Sequence, residues 1–313
     1  YNALISRWEK TESTYNHEEE LAKYELRVED WKAASDKAKL ENLPAPRRPR
    51  EPRSPLGNQH RPGNLYNGVL HPIIGYGIRG AIWYQGESHA SRADQYRELF
   101  PLMIQNWRDE WKQGDFPFYL VQLAPGLGEN LPLFWEAQAR TLSIKNTGIV
   151  STNDIGGDPV HPRDKRGVGE RLALWALAKD YGRDGSFSGP TFKSMNVEGH
   201  MIRVNFDHVG SGLKTRNNEQ ISGFEISGDG EFYPAKAVID GKTVLVASKK
   251  VPKPVLVRLG WNHLSNTNLQ NSDGLPAFPF RTGSSAPEIG GKRLFSNSST
   301  INLKPIESNG SIH

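Results

Sequence analysis

Apolar positions along the chain change their spacing several times, and each change marks a new unit. From residue 14 to about 43 the spacing is helical. Leu21 and Val28 repeat at seven, as do Tyr24, Trp31 and Ala38, while Glu and Lys fill the other faces. The pattern predicts one long helix whose apolar stripe is a packing face. A run holding Pro44, Pro46, Pro49, Pro52 and Pro55 ends it, because consecutive prolines cannot donate helical hydrogen bonds.

From Leu65 strand and helix signals alternate. RGAIWYQ (79–85), FPFYLVQL (116–123) and TGIVSTN (147–153) read as short apolar strands. Residues 92–111, 133–145 and 163–182 between and after them are helical in pattern, with Pro101 expected to break or kink the first and Gly182 to end the last. Strands apolar on both faces, separated by amphipathic helices, predict an α/β domain with a parallel sheet covered on both sides by helices. Beyond Gly185 the helical spacing disappears. HMIRVNFDH, ISGFEIS, FYPAKAVID, KTVLVAS and PVLVRLGW are short β-rich runs parted by turn residues, which predicts an antiparallel sandwich-like module. After Arg281 the chain turns to Ser, Asn and Gly and reads as a tail. The expected organisation is a helical insertion and connector over 1–64, an α/β domain over 65–185, a β-rich module over 186–282 and a flexible tail over 283–313.

Composition narrows the function classes. The chain has 313 residues and a formal charge of +4, and much of its basic excess is Arg47, Arg48, Arg50, Arg53 and Arg61. These alternate with prolines and carry no interleaved aromatic to stack a base, so they read as a solvated connector and not as a nucleic-acid groove. No stretch is long and apolar enough to span a bilayer. Cysteine is absent, which excludes disulfides and Cys-based zinc sites, and no metal constellation or phosphate loop is visible, so no cofactor is implied. The chain opens at Tyr1 in mid-pattern, and the expectation is that it continues a longer protein.

In a parallel α/β sheet, ligands bind beyond the carboxyl ends of the strands. Two such ends carry polar clusters. RGAIWYQ runs into Gln85, Gly86, Glu87, Ser88 and His89, and TGIVSTN runs into Asp154, Asp158 and His161. Asp158-Pro159-Val160-His161 could pair a proton-transferring imidazole with the carboxylate that orients it, as ester hydrolysis by a serine requires. Asp158 could equally cap a helix beginning near Pro162, and spacing alone leaves the two readings equal. Gly86-Glu87-Ser88-His89-Ala90 approximates the G-x-S-x-G nucleophile elbow, but Ala90 stands where the second glycine belongs. The other reading of Ser88 is a helix N-cap.

RGAIWYQGES, NWRDEW, GDFPFYLVQLA, DIGGDPVHPRDKRGVGERLA, FDHVGSGL, ISGFEISGDG and GLPAFPFRT are together very similar to the sialate O-acetylesterase family of SGNH-type hydrolases. The resemblance runs from the long helix to about Arg281. It implies an SGNH-hydrolase-like sheet and removal of O-acetyl groups from sialic acid or a related acetylated carbohydrate through an acyl-serine. It implies His161 as general base and acid, with Asp158 its orienter and Asp154 in reserve. It also implies that Gln85 and Glu87 line the site and that Ser88 is not the nucleophile. In the family the nucleophile lies in a GQSNM-like motif and an oxyanion donor in a GGTPAE-like motif, and neither string occurs in these 313 residues. The nucleophile is therefore expected upstream of Tyr1. Family members read GESN where this chain has His89. Relatives acting on extracellular glycans imply a periplasmic or secreted protein. The rival readings are a non-catalytic carbohydrate-binding or scaffold protein of the same fold, and an esterase using Ser88.

Overall fold

The computed structural model of the protein describes residues 2–155 and 161–283. Asp158 and the segment from residue 284 on, read above as most of a tail, lie outside the described residues. By packing, the chain divides into two compact units. One holds the residues up to Ala81 together with Phe100–Phe116, and the other holds Ile82–Leu99 with the described chain from Pro117 onward.

The helix expected over 14 to about 43 is α2 (His17–Leu40), and a helix that the pattern did not announce, α1 (Asn2–Thr14), precedes it. Asn16 makes the break. Its backbone is extended, and its side chain accepts hydrogen bonds from the Glu18 and Glu19 amides, while Glu18, Glu19 and Glu20 favour the positive end of the helix. The stripe is real, yet no α2 residue is buried. The connector lies over part of it instead: Trp31 Nε1 donates to the Pro46 carbonyl at 2.7 Å, and the Arg48 guanidinium stands 5.6 Å from the centre of the Trp31 ring. Among the described residues no helix is long and apolar enough to cross a membrane.

Three strands form the α/β sheet: β1 (Ala81–Trp83), β2 (Phe118–Val121) and β3 (Thr147–Val150), in the order β1-β2-β3. β2 and β3 are parallel, with Phe118 opposite Thr147 and Val121 opposite Val150. All four β2 residues are buried, so both faces of the central strand are covered. On one face Tyr119, Val121 and Val150 pack with Val168, Leu172 and Trp175 of α5 (Lys165–Lys179). Gly148 permits this contact, since a Cβ there would stand 2.5 Å from the Trp175 ring. Burying each of these side chains contributes roughly 1.5–3 kcal/mol before entropy is counted. α3 (Ala93–Trp111) runs through Pro101 as one helix, so the expected break does not occur. The proline forfeits one helical hydrogen bond, and the neighbouring Phe100 and Ile104, both buried, offset that cost. α4 (Leu131–Ala139) follows β2 and ends earlier than its pattern suggests, in a 3-10 turn over Arg140–Ser143.

The β-rich region holds two four-stranded antiparallel sheets. β4 (Thr191–Glu198), β5 (Met201–Asp207), β10 (Thr243–Ala247) and β9 (Lys236–Asp240) make one. β13 (Phe280–Arg281), β11 (Leu256–Leu259), β7 (Phe224–Ser227) and β8 (Tyr233–Pro234) make the other. Ile202, Val204, Phe206, Val244 and Val246 of the first share one core with Phe224, Ile226, Val257 and Leu259 of the second. A separate antiparallel pair joins β6 (Leu213–Thr215) to β12 (Leu269–Asn271).

Candidate active site

At the carboxyl end of β1 the chain turns sharply. Gly86 takes a φ of 140°, and a Cβ there would stand 2.6 Å from the Phe134 ring, so only glycine fits. Glu87 folds back, its Oε2 accepting from the Gly86 amide at 3.0 Å. Gln85 is half-buried. Its Nε2 lies 3.4 Å from His89 Nδ1, and its carbonyl accepts from the Tyr96 hydroxyl at 3.5 Å, which in turn accepts from Trp83 Nε1. Burial, with Arg92 nearby, pushes the His89 imidazole below its ordinary pKa, which favours a neutral ring able to accept from the Gln85 amide. Among the described residues, His89 is the one partner of that amide nitrogen, and its second N–H could meet a ligand. Ser88 is exposed in a 3-10 turn (Glu87–Arg92) whose cap position is Gly86, and α3 begins only at Ala93. Ser88 is therefore not the helix N-cap.

At the carboxyl end of β3 the contacts are long-range. Asp154 forms a two-pronged ion pair with Arg171 of α5, both N···O distances being 2.7 Å. Arg171 also donates to the Ser151 carbonyl at 2.6 Å. Both oxygens of Asp154 are thus engaged. His161 is exposed, just ahead of α5. The N-cap of α5 is Asp164, whose Oδ1 accepts from the Gly167 amide at 2.8 Å, so the capping role weighed for Asp158 belongs to Asp164. Lys165 Nζ stands 4.8 Å from the centre of the Tyr84 ring, which brings the chain just after His161 to the strand end that carries Gln85 and Glu87. Trp135 is buried, with Nε1 donating to the Leu123 carbonyl at 2.7 Å, and so is a packing residue.

Residues of the β-rich region also reach the chain beyond β2 and β3. The Gly126 amide donates to the His263 carbonyl at 2.7 Å, and Asn153 Nδ2 donates to Thr267 Oγ1 at 3.3 Å and to the Ala277 carbonyl at 3.0 Å. Neither Asn153 nor Arg171 stood out in the sequence, although one signal was present. Arg171 lies on the same helical face as Val168, Leu172 and Trp175, and an arginine there requires a buried partner. Among the described residues no three His, Asp or Glu side chains are grouped to hold a metal ion.

Residues 59–177 match the family model described as carbohydrate esterase, sialic acid-specific acetylesterase. The chain is 30% identical to human sialate O-acetylesterase over 188 residues, which cover 52% of this chain and 36% of that protein. With the mouse protein of the same name it shares 31% identity over 158 residues, 42% of this chain and 29% of that one. A crystal structure of a carbohydrate acetylesterase from Xanthomonas citri is similar with a TM-score of 0.69 and 40% identity, over 74% of this chain and 56% of that one. The chain thus spans little more than a third of the human relative's length.

Proposed function

We propose that the chain, whose residues 59–177 match the family model of sialic acid-specific acetylesterases, forms part of an enzyme that removes O-acetyl groups from sialic acid or a related acetylated sugar. The observation that carries this reading is the span of that match, which includes both polar strand ends, Gln85–His89 and Asp154–His161. In this reading a serine hydroxyl attacks the acetyl carbonyl, His161 takes its proton, and the same imidazole returns it to the departing sugar oxygen, which leaves as a hydroxyl. Water then hydrolyses the acyl-serine. Asp158 orients His161, a role supported by the engagement of both Asp154 oxygens with Arg171. Gln85 donates an amide hydrogen to the developing oxyanion, and Glu87, an acceptor when ionised, orders the turn. The nucleophile comes from a GQSNM-like segment outside these 313 residues, so this chain alone hydrolyses a chromogenic acetyl ester negligibly.

The test assays the full-length gene product beside its His161→Ala variant. Hydrolysis lost in the variant supports the reading. A full-length product that binds acetylated glycans without cleaving them favours a carbohydrate-binding protein, the alternative suggested by the missing serine motif.

A further inference from the structure

Resting on the reading of His161 as the proton-transferring group, we infer that the β-rich region positions that residue, through a clamp of Asn153, Asp154, Arg171 and Arg216. His161 lies between β3 and α5, and the clamp grips both. The Asp154–Arg171 pair closes the span, with Arg171 also held to the Ser151 carbonyl at 2.6 Å. From the β-rich region Arg216 brings Nη1 to 4.0 Å from Asp154 Oδ2. Its Nη2 is fixed on Asn266 Oδ1 at 2.7 Å and its backbone amide on the Asn268 carbonyl at 2.8 Å. Asn153 is 2% exposed, and its amide donates to Thr267 and Ala277 while Ser151 Oγ donates to its Oδ1 at 2.9 Å.

An amide whose donors and acceptor are all engaged in a buried site admits one geometry, which an apolar contact of the same area would not impose. Cohesion alone could be met by apolar packing, without bringing two arginines to one carboxylate. What the arrangement does supply is a fixed departure point for the chain leading to His161, and proton transfer is sensitive to displacements below an ångström. Arg216 and Asn153 are positioning residues in this scheme.

The test uses the full-length protein. Arg216→Gln, Thr267→Val and their combination weaken the clamp, and Arg258→Gln, which loses a pairing to Glu225 at 2.8 Å on β11, is the control. The double variant should lower kcat on a chromogenic acetyl ester by roughly ten- to a hundred-fold, with KM within about two-fold of the parent. Arg258→Gln should keep parental kcat, and Arg216→Lys, which retains the charge beside Asp154, should recover most of the loss. A second readout does not depend on catalysis. The His161 ring resonance, assigned by its disappearance in His161→Gln, should move in the double variant while that of His200 stays. Parental kcat together with an unmoved resonance overturns the clamp. An inactive parent with a moved resonance sinks the esterase reading and leaves the clamp standing. Should the double variant fail to fold, Arg216→Gln alone, which alters a partly exposed side chain, carries both readouts.

Discussion

The two strand ends that carry the candidate site are built on opposite principles. The end of β1 is local: Glu87 bonds the neighbouring Gly86 amide, His89 meets Gln85 four residues away, and glycine sets the turn. The end of β3 is held from afar. Asp154 pairs with Arg171 seventeen residues on, and Asn153 bonds Thr267 and Ala277 in the β-rich region. A local turn can absorb a substitution such as His89 by rearranging a few atoms. A long-range anchor ties geometry to the whole packing arrangement, which suits the end that has to hold a proton-transferring group in register.

The sharpest test of that contrast is at the β3 end. In the full-length protein His161→Ala should lower turnover by roughly two to four orders of magnitude, whereas His89→Ala should cost far less. Near-parental turnover in a folded His161→Ala protein would falsify the role given to the D-x-x-H block. The two aspartates should separate by readout. Asp158→Asn should lower the rate per folded molecule with little loss of stability, whereas Asp154→Asn should lower stability by about 3 kcal/mol, because it strips Arg171 of its carboxylate in a site where both side chains are nearly buried, and with it the rate, by the smaller factor expected from loosening the clamp. A melting curve and turnover measured on the same samples decide which variant does what.

Next in size is Gln85 at the β1 end. As an oxyanion-side donor it matters in the transition state more than in bound substrate. Gln85→Met should reduce kcat by about two orders of magnitude with little change in KM. A variant that melts early yet turns over normally when folded would return Gln85 to the scaffold.

The same contrast explains what could be read in advance. The strands, α5 and the turn at residues 85–89 were legible because their signals are local: apolar runs, helical spacing, and glycine at a strand end. α2 was legible from its stripe, with its start set three residues later by the Asn16 cap, whereas α1, which buries no residue, was missed. Pro101 does not break α3, which could not be read in advance because sequence shows the lost hydrogen bond and not the burial of Phe100 and Ile104 that offsets it. β4 was missed because its outward residues carry few apolar side chains, and β6, β12 and β13 because each spans only two or three residues. The clamp on Asp154 was illegible for a deeper reason. Its partners stand seventeen or more residues away, and nothing in one sequence states which arginine meets which carboxylate.

A smaller effect probes whether the β1 end is as self-contained as its contacts imply. Gly86→Ala places a methyl 2.6 Å from Phe134 and forces an alanine to a φ of 140°. The expected cost is about 1–3 kcal/mol of stability, seen as a lower melting temperature. If the turn is local, the Asp154–Arg171 end should be undisturbed, and the His161 ring resonance should keep its parental position in the folded fraction. Movement of that resonance would join the two ends into one unit.

The smallest expected effect is at Ser88, and it is informative because a serine after a strand invites a catalytic reading. A nucleophile elbow holds the serine itself in strained backbone and needs a small residue two positions on, so that strand and helix approach closely. Here the positive φ falls on Gly86, Ser88 is not among the residues with positive φ, and position 90 is alanine. The Ser88 side chain is exposed, while its carbonyl accepts from Arg92 Nη2 at 3.3 Å, a contact that does not involve the hydroxyl. Ser88→Ala should therefore leave the turnover of the full-length protein at its parental value and change stability by no more than about 0.5 kcal/mol. Robust hydrolysis by the 313-residue chain that vanishes in Ser88→Ala would reverse the assignment. The β1 end would then supply the nucleophile as well as the oxyanion donor, and its local construction would have to meet the geometric demands assigned above to the β3 end.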